Sequence, residues 1–174
     1  MHDAPTVVFT GGGTGGHLYP ALALADELVK ERPEVRPVFI GANRGIESRV
    51  LPNQGREYNL LPVRGWKRGN VLTNLGVPWA LFKSIVAAVA IHRKYDSKLV
   101  VVTGGYSSAP AGVAAAVLGI PIVLQEQNAL PGVTTRVLSL WAKQIHVAFP
   151  KAISGLPLKA RDAVLTSGCP IQSP

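Results

Sequence analysis

Residues 9–28 read FTGGGTGGHLYPALALADEL, and this stretch decides the fold. Five of the six residues from Gly11 to Gly16 are glycine, and they stand between an apolar run and a pattern typical of a helix. A strand, a glycine-rich turn and a helix in this order indicate the first unit of a doubly wound α/β sheet. Glycines let backbone N–H groups approach an oxygen-rich ligand, and the amino end of the next helix attracts negative charge. The stretch therefore predicts a phosphate or diphosphate site, with a tight turn that binds nothing as the alternative.

The rest of the chain continues the alternation of strand and helix. The strand patterns are TVVF, VRPVFIG, YNLLPV, KLVVVTG, IPIVLQE, QIHVAF and AVLTSG, and the helical patterns are YPALALADELVKE, PWALFKSIVAAVAIHRK, SSAPAGVAAAVLG and VTTRVLSLWA. The strand runs are continuously apolar, as expected of parallel strands that are covered on both faces. The sequence thus predicts a Rossmann-like α/β fold with a doubly wound parallel sheet. Ligands of such sheets bind beyond the carboxyl ends of the strands.

Composition limits the classes of function. The 174 residues are 47% hydrophobic, which is enough for one domain core. The formal net charge is +8, and the segment from Arg36 to Lys94 carries ten Lys/Arg against two acids. This excess suits phosphates, nucleic acid or an anionic membrane surface, with a merely solvated basic face as the alternative. A single cysteine, Cys169, and four histidines without metal-ligand spacing argue against an internal disulfide and a zinc site. We expect no signal peptide and no membrane span.

The residues after the first glycines narrow the choice of phosphate ligand. A Rossmann dinucleotide site requires an acidic residue at the end of the second strand to bind the ribose hydroxyls. The segment FIGANRG has Asn43 and Arg44 there and no acid before Glu47. A Walker-type phosphate loop requires a lysine and a serine or threonine at the positions of His17 and Leu18, so this type of loop is disfavoured. At the mouth of a helix, an imidazole tends to stay neutral, so His17 is a candidate general base. A helix-start residue that hydrogen-bonds to the backbone is the alternative.

Polar residues follow two later strands. VVVTGGYSSAPAG repeats the first design, so Gly104, Gly105 and Tyr106 are predicted to line a second anion pocket, and Ser107 or Ser108 to cap the next helix. The run QEQN at 125–128 favours hydrogen bonds to a polyhydroxy ligand or the orientation of neighbouring loops, with a braced turn as the alternative. Its one acid has no acidic partner nearby, which argues against a glycosidase.

Three motifs together, GGTGGHLYPALALA, GGYSSAPAGVAAAVLGIPIVLQEQN and TSGCPI, resemble the MurG family. These are the bacterial UDP-N-acetylglucosamine:lipid I N-acetylglucosaminyltransferases of peptidoglycan synthesis. The resemblance spans nearly the whole chain but covers only the family's N-terminal domain. It implies a GT-B architecture with an acceptor-binding domain at 1–168, the start of an interdomain linker at 169–174, and a donor-binding C-terminal domain outside this chain. The implied reaction is an inverting transfer of N-acetylglucosamine from UDP-GlcNAc to the C4 hydroxyl of the muramyl sugar of lipid I. It needs no cofactor and no catalytic metal, and we expect the chain alone not to turn over.

The resemblance also assigns roles to residues. It makes His17 the general base and Glu126 a supporting residue. The implied contacts to the donor are Thr14, Gly15, Gly16, Asn128 and Gln172, and those to the acceptor diphosphate are Gly12, Gly13, Gly104, Gly105, Tyr106 and Ser107. The chain departs from the family at two positions, because Gln125 stands where a histidine is usual and Gln172 where an arginine is usual.

The stretch WKRGNVLTNLGVPWALFKS at 66–84 mixes aromatic, aliphatic and basic side chains. Such a mixture favours docking to anionic lipid, with aromatic side chains at the interface. The alternative is that this apolar surface packs inside the domain. The resemblance implies a peripheral protein at the cytoplasmic face of the bacterial plasma membrane. The predicted membrane contacts are Lys67, Arg68, Leu75, Trp79, Phe82 and Lys83.

Three other functions stay open on the residues alone. One is another GT-B lipid glycosyltransferase, such as a diacylglycerol glucosyltransferase. A second is a non-catalytic module that binds a lipid diphosphate and recruits a separate donor domain. A nicotinamide-dinucleotide domain is disfavoured by the missing acid after the second strand, and we expect no nucleic-acid partner.

Overall fold

The computed structural model describes residues 4–66, 69 and 74–171. These residues form a seven-stranded sheet in which every neighbouring pair is parallel, in the order β3-β2-β1-β4-β5-β6-β7. The chain moves outward from β1 to β3 and then returns to place β4 on the other side of β1, so the winding reverses between β1 and β4. The predicted doubly wound α/β fold is confirmed. The strands are β1 Thr6–Gly11, β2 Arg36–Ala42, β3 Glu57–Leu61, β4 Ser97–Gly104, β5 Ile122–Glu126, β6 Gln144–Val147 and β7 Val164–Thr166.

The helices of the described residues connect these strands. The α-helices are α1 Gly15–Glu31, α2 Glu47–Val50, α3 Val77–Lys94, α4 Ala109–Leu118 and α5 Val133–Leu138, and 3₁₀ segments cover Leu51–Gln54, Tyr106–Ser108, Pro150–Gly155 and Leu158–Ala163. Two helix ends differ from the prediction by four residues, and the other boundaries by smaller amounts. Helix α1 begins at Gly15 rather than Tyr19, which puts two glycines and the histidine into its first turn. Helix α5 ends at Leu138 rather than residue 142, where the Ser139 hydroxyl donates to the carbonyl of Arg136 (2.8 Å) and competes with the helical pattern.

Two apolar layers cover the sheet. On one face, α3, α4 and α5 pack over Val8, Ile40 and Val102 and over the inward side chains of β5 and β6. On the other face, α1 packs over β1, β2 and β4, where the rings of Phe9 and Phe39 stack at 5.6 Å. Burial on both faces explains why the strand runs are continuously apolar.

The α1 face of β5 and β6 is open. A groove of about 420 Å³ runs there between α1 and the segment after β7, and its lining includes Leu24, Leu28 and Val123. The Gln125 side chain donates to the Gly168 carbonyl (2.9 Å) at the edge of this groove. The Gln125 amide therefore ties β5 to the segment after β7.

The surface of α3 carries exposed aromatic side chains. Trp79 and Phe82 stack at 5.7 Å, and the Lys83 ammonium lies 5.1 Å from the Trp79 ring centre. Leu75 and Trp66 are also exposed, at 72% and 67%. We call these five residues the α3 surface, and their exposure shows that these five side chains do not pack inside the domain. Lys67 and Arg68, two of the predicted membrane contacts, lie outside the described residues. Within the described residues, no helix combines the length and the hydropathy needed to cross a bilayer.

Candidate functional site

The two glycine loops meet where the winding of the sheet reverses. Gly11 pairs with Gly104 at the ends of β1 and β4, and the Gly12 amide donates to the Gly104 carbonyl (3.3 Å). Gly105 has φ +82° and ψ 162°, a conformation that is essentially restricted to glycine. A Cβ atom on Gly105 would also overlap the carbonyl oxygen of Gly12. The loops therefore touch through backbone atoms, as expected of a ligand site at a switch point.

The first loop keeps most of its amides available. The amide of Gly12 donates to the Gly104 carbonyl and is therefore already used within the protein. The amides of Gly13, Thr14, Gly15 and Gly16 donate no backbone hydrogen bond to any other residue that the structure describes. They stand at the amino end of α1, a helix of 17 residues whose partial positive charge favours anions there. This arrangement suits phosphate oxygens.

His17 lies in the first turn of α1, between the loops. Its Nδ1 hydrogen-bonds with the Thr14 hydroxyl (2.9 Å), and its backbone carbonyl accepts from the Thr103 hydroxyl (2.6 Å). Nε2 has no hydrogen-bond partner among the described residues, and a Cβ atom on Gly104 would lie 3.2 Å from it. Burial lowers the pKa of His17, although the charges of Glu126 and Glu47 partly oppose this. The lowered pKa favours the neutral imidazole, and in the tautomer in which Nδ1 donates to Thr14, Nε2 can accept a proton.

Glu126 organises the loop after β5. One carboxylate oxygen accepts from the backbone and side-chain amides of Asn128 (3.0 and 2.8 Å). The other accepts from the Gly132 amide (3.1 Å) and the Thr135 hydroxyl (2.6 Å). Four hydrogen bonds to one buried carboxylate fix the start of α5 and the exposed Asn128 relative to the glycine loops. Glu126 thus braces neighbouring groups instead of facing a ligand.

Tyr106 packs over the first glycine loop. A Cβ atom on Gly13 would lie 2.6 Å from the Tyr106 ring, and one on Gly65 would lie 3.1 Å from it. Burial, and after it the charge of Glu47, raises the pKa of the Tyr106 phenol. The phenol therefore stays protonated and can donate a hydrogen bond at neutral pH.

Ser107 and Ser108, which follow Tyr106, were predicted to cap α4. Neither of them caps α4: the Ser108 hydroxyl donates to the Gly105 carbonyl (2.9 Å), and Ser108, the residue at the cap position, has helical backbone angles. Ser107 is fully buried, and its hydroxyl has no partner among the described residues. The cap prediction was wrong because a 3₁₀ turn at Tyr106–Ser108 enters the helix directly and turns both side chains inward.

Residues 7–147 match the model of the Glycosyltransferase family 28 N-terminal domain. The chain belongs to glycosyltransferase family 28. Among curated family members, a protein of Chlorobium luteolum is 46% identical over 171 residues, and one of Desulforudis audaxviator is 38% identical over 166 residues. Both are named UDP-N-acetylglucosamine--N-acetylmuramyl-(pentapeptide) pyrophosphoryl-undecaprenol N-acetylglucosamine transferase. The matches cover 96% and 95% of this chain but 46% and 44% of the relatives, so the chain spans about half their length.

Solved structures agree with the family assignment. The crystal structure of Acinetobacter baumannii MurG superposes with a TM-score of 0.74 at 34% identity and covers 84% of this chain and 42% of that one. The complex of S. aureus MnaA with UDP has a TM-score of 0.69 at 17% identity, covering 95% of this chain and 44% of that one. The second likeness shows the fold alone.

Glu47 lies fully buried at the start of α2, beside the first glycine loop. The linear sequence predicts no role for it beyond that of an acid placed too late to bind a ribose. The glycines at 12, 41 and 45 make room for Glu47, because a Cβ atom on any of them would collide with its side chain. Nothing in the linear sequence links those three positions to one another.

Proposed function

We propose that this domain is the acceptor side of an inverting glycosyltransferase. The enzyme would move N-acetylglucosamine from UDP-GlcNAc to the C4 hydroxyl of the muramyl sugar of lipid I, an undecaprenyl-diphosphate-linked acceptor. The observation that carries the proposal is the imidazole of His17, whose ring lies between Gly104 and the first glycine loop with its unspent amides. The names and identities of the family 28 relatives support this choice of substrates.

The proposed reaction is a direct displacement. Nε2 of His17 takes the proton of the acceptor hydroxyl while that oxygen attacks the anomeric carbon. The bond from the anomeric carbon to the diphosphate of UDP breaks, and the configuration inverts. The lowered pKa of His17 keeps the base unprotonated at neutral pH, and the buried carboxylates of Glu126 and Glu47 then favour the imidazolium that forms.

The glycine loops would hold the substrates around this base. The unspent amide of Gly13 and the Gly104–Gly105 turn suit the acceptor diphosphate, to which the Tyr106 phenol can donate a further hydrogen bond. Thr14, Gly15, Gly16 and Asn128 are the proposed donor contacts. Gln172, a further donor contact, lies outside the described residues. We propose the division into an acceptor domain at 1–168 and a linker from 169, with the other half of the enzyme supplying most of the donor pocket.

We propose that the α3 surface rests on the anionic cytoplasmic face of the plasma membrane, which would make the enzyme peripheral. Stacked aromatic rings beside a lysine suit the interface between lipid headgroups and acyl chains. An acceptor anchored in the bilayer would then reach the glycine loops without leaving it.

The test of the proposed function needs a complete enzyme. A chimera joins residues 1–174 to the part of the Chlorobium luteolum protein that follows its matched region. We expect it to glycosylate lipid I and not diacylglycerol, and we expect His17→Ala to lower kcat by roughly 10²–10⁴. His146→Ala, which removes another histidine, should keep the wild-type rate. Transfer to diacylglycerol, or a loss below about tenfold for His17→Ala, would contradict the proposed acceptor or the proposed base.

A further inference from the structure

Three glycines make room for one buried carboxylate. Glu47 Oε1 accepts the Ala42 amide at the end of β2 (3.2 Å). A Cβ atom on Gly12 would overlap the Glu47 carboxylate, and one on Gly45 would overlap its other oxygen. One on Gly41 would lie 2.7 Å from the Glu47 Cβ. The end of β2, the turn after it and the first glycine loop therefore all close around this side chain.

This burial is unfavourable by itself. Glu47 is fully buried, and Oε2 has no hydrogen-bond partner among the described residues. A carboxylate without a full set of partners in a dry environment loses its hydration, whereas a leucine or methionine at the same place would stabilise the domain. Glu126 offers a contrast, because its two oxygens share four hydrogen bonds. A costly, under-bonded group beside a site suggests a role beyond packing.

Gly12 connects Glu47 to both loops. One side of Gly12 contacts the carboxylate, and its amide donates to Gly104 O (3.3 Å). Its carbonyl lies so close to Gly105 that no Cβ atom fits between them. Gly104 in turn lies against the His17 ring, where a Cβ atom would be 2.8 Å from Cδ2. The position of Gly12 thus sets the spacing between the two loops and the place of the imidazole.

We infer that Glu47 is a positioning residue of the transfer site, which acts through Gly12 to hold the two glycine loops at their working distance. The inference rests on the proposed function. Glu47 does not touch a substrate in this arrangement, because other residues enclose it. Its charge also acts on the site: it partly opposes the burial that lowers the pKa of His17, and it adds to the burial that raises the pKa of Tyr106.

The experiment separates the shape of Glu47 from its charge. It uses the chimera with Glu47→Gln and Glu47→Ala. The matched control is Glu57→Ala, at a partly exposed glutamate that pairs with Arg36. Glu47→Ala should lower kcat/KM for lipid I by about 10- to 100-fold, because a displaced loop misaligns the reacting groups. Glu47→Gln keeps the shape and should retain most of kcat at pH 8. The acidic limb of its pH profile should move to lower pH, since His17 loses a nearby negative charge.

A double-mutant cycle tests the route through Gly12. Gly12→Ala alone should impair transfer because its Cβ atom collides with the carboxylate, and adding Glu47→Ala should restore part of the rate by removing that collision. The inference is overturned if the two losses multiply, or if folded Glu47→Ala matches the wild type. If Glu47→Ala does not fold, a wild-type transfer rate in Gly12→Ala overturns it, because the added Cβ atom must displace Gly12 or the carboxylate. A wild-type chimera that transfers no sugar at all marks instead the failure of the proposed function, and the inference falls with it.

Discussion

Single buried residues control how this domain responds to pH. His92 in α3 is almost fully buried, with Nδ1 hydrogen-bonded to the Ser97 hydroxyl (3.1 Å) and Nε2 to the Ala111 carbonyl (3.0 Å). It ties α3 to β4 and α4 and takes no part in the proposed reaction. Burial lowers its pKa, and the bond to Ala111 opposes this less strongly. Only one ring nitrogen of a neutral imidazole carries a proton, so one of these bonds uses the ring as an acceptor.

Because the pKa of His92 is lowered, we expect the domain to lose stability in mild acid. Above pH 6.5 the imidazole is neutral in both the folded and the unfolded chain, so His92 adds no pH dependence. As the pH falls below 6.5, the unfolded chain binds a proton before the folded one does, and the free energy of unfolding decreases by at most about 1.4 kcal/mol per pH unit. Urea unfolding between pH 5 and 8 measures this slope. In His92→Gln it should be shallower, and an unchanged slope would contradict the assignment. His17, whose pKa is also lowered, contributes in the same direction.

At the scale of elements, the site consists of loops placed by the register of parallel strands. The pairing of Gly11 with Gly104 brings two turns together that are far apart in the sequence. The five-residue strand β5 brings Glu126 to the same edge, and Glu126 then orders α5. Because the loops meet through backbone atoms, a single added methyl group at the junction cannot be accommodated by rotating a side chain.

Gly105→Ala should therefore destabilise the domain more than an alanine at an ordinary left-handed glycine. Gly105 combines a glycine-only conformation with an overlap against a backbone oxygen, and we expect a loss of about 3 kcal/mol or more. Gly55→Ala is the control, because Gly55 has φ +61° and open space around it, and about 1 kcal/mol is expected there. Urea unfolding of both variants checks the difference. Equal losses would mean that the loops do not meet as described.

The two faces of the sheet are covered to different extents. The sheet is covered by α3, α4 and α5 on one face, whereas on the other α1 leaves the open groove at β5 and β6. The α3 surface lies on the outer side of the helices that cover the first face, and it carries exposed aromatic and basic side chains. The open groove and the α3 surface both lie outside the proposed transfer site. The groove has room for the rest of the enzyme or another partner to pack.

The proposed membrane contact makes a direct prediction for the chain. The triple variant Trp79→Ala/Phe82→Ala/Lys83→Glu should lose most of its co-sedimentation with liposomes that contain anionic lipid, because it removes both the aromatic anchors and a positive charge. Val117→Ala/Leu158→Ala changes two side chains that are exposed at 72% and 76% away from the α3 surface, and it should sediment like the wild type. Equal sedimentation of the triple variant and the wild type would exclude the α3 surface as the contact.

Sequence patterns determined the fold class, the strands and the place of the first glycine loop, because periodicity and glycine content are local properties. They also singled out His17 as a candidate base, since the sequence lacks the lysine of a Walker loop and the ribose-binding acid of a dinucleotide site. Tertiary structure alone decided that Trp79 is exposed, because α3 is apolar almost all round and its periodicity does not say which side faces the sheet. It alone placed Glu47 against Gly12, since only the parallel register of β1 and β2 brings residues so distant in sequence into contact.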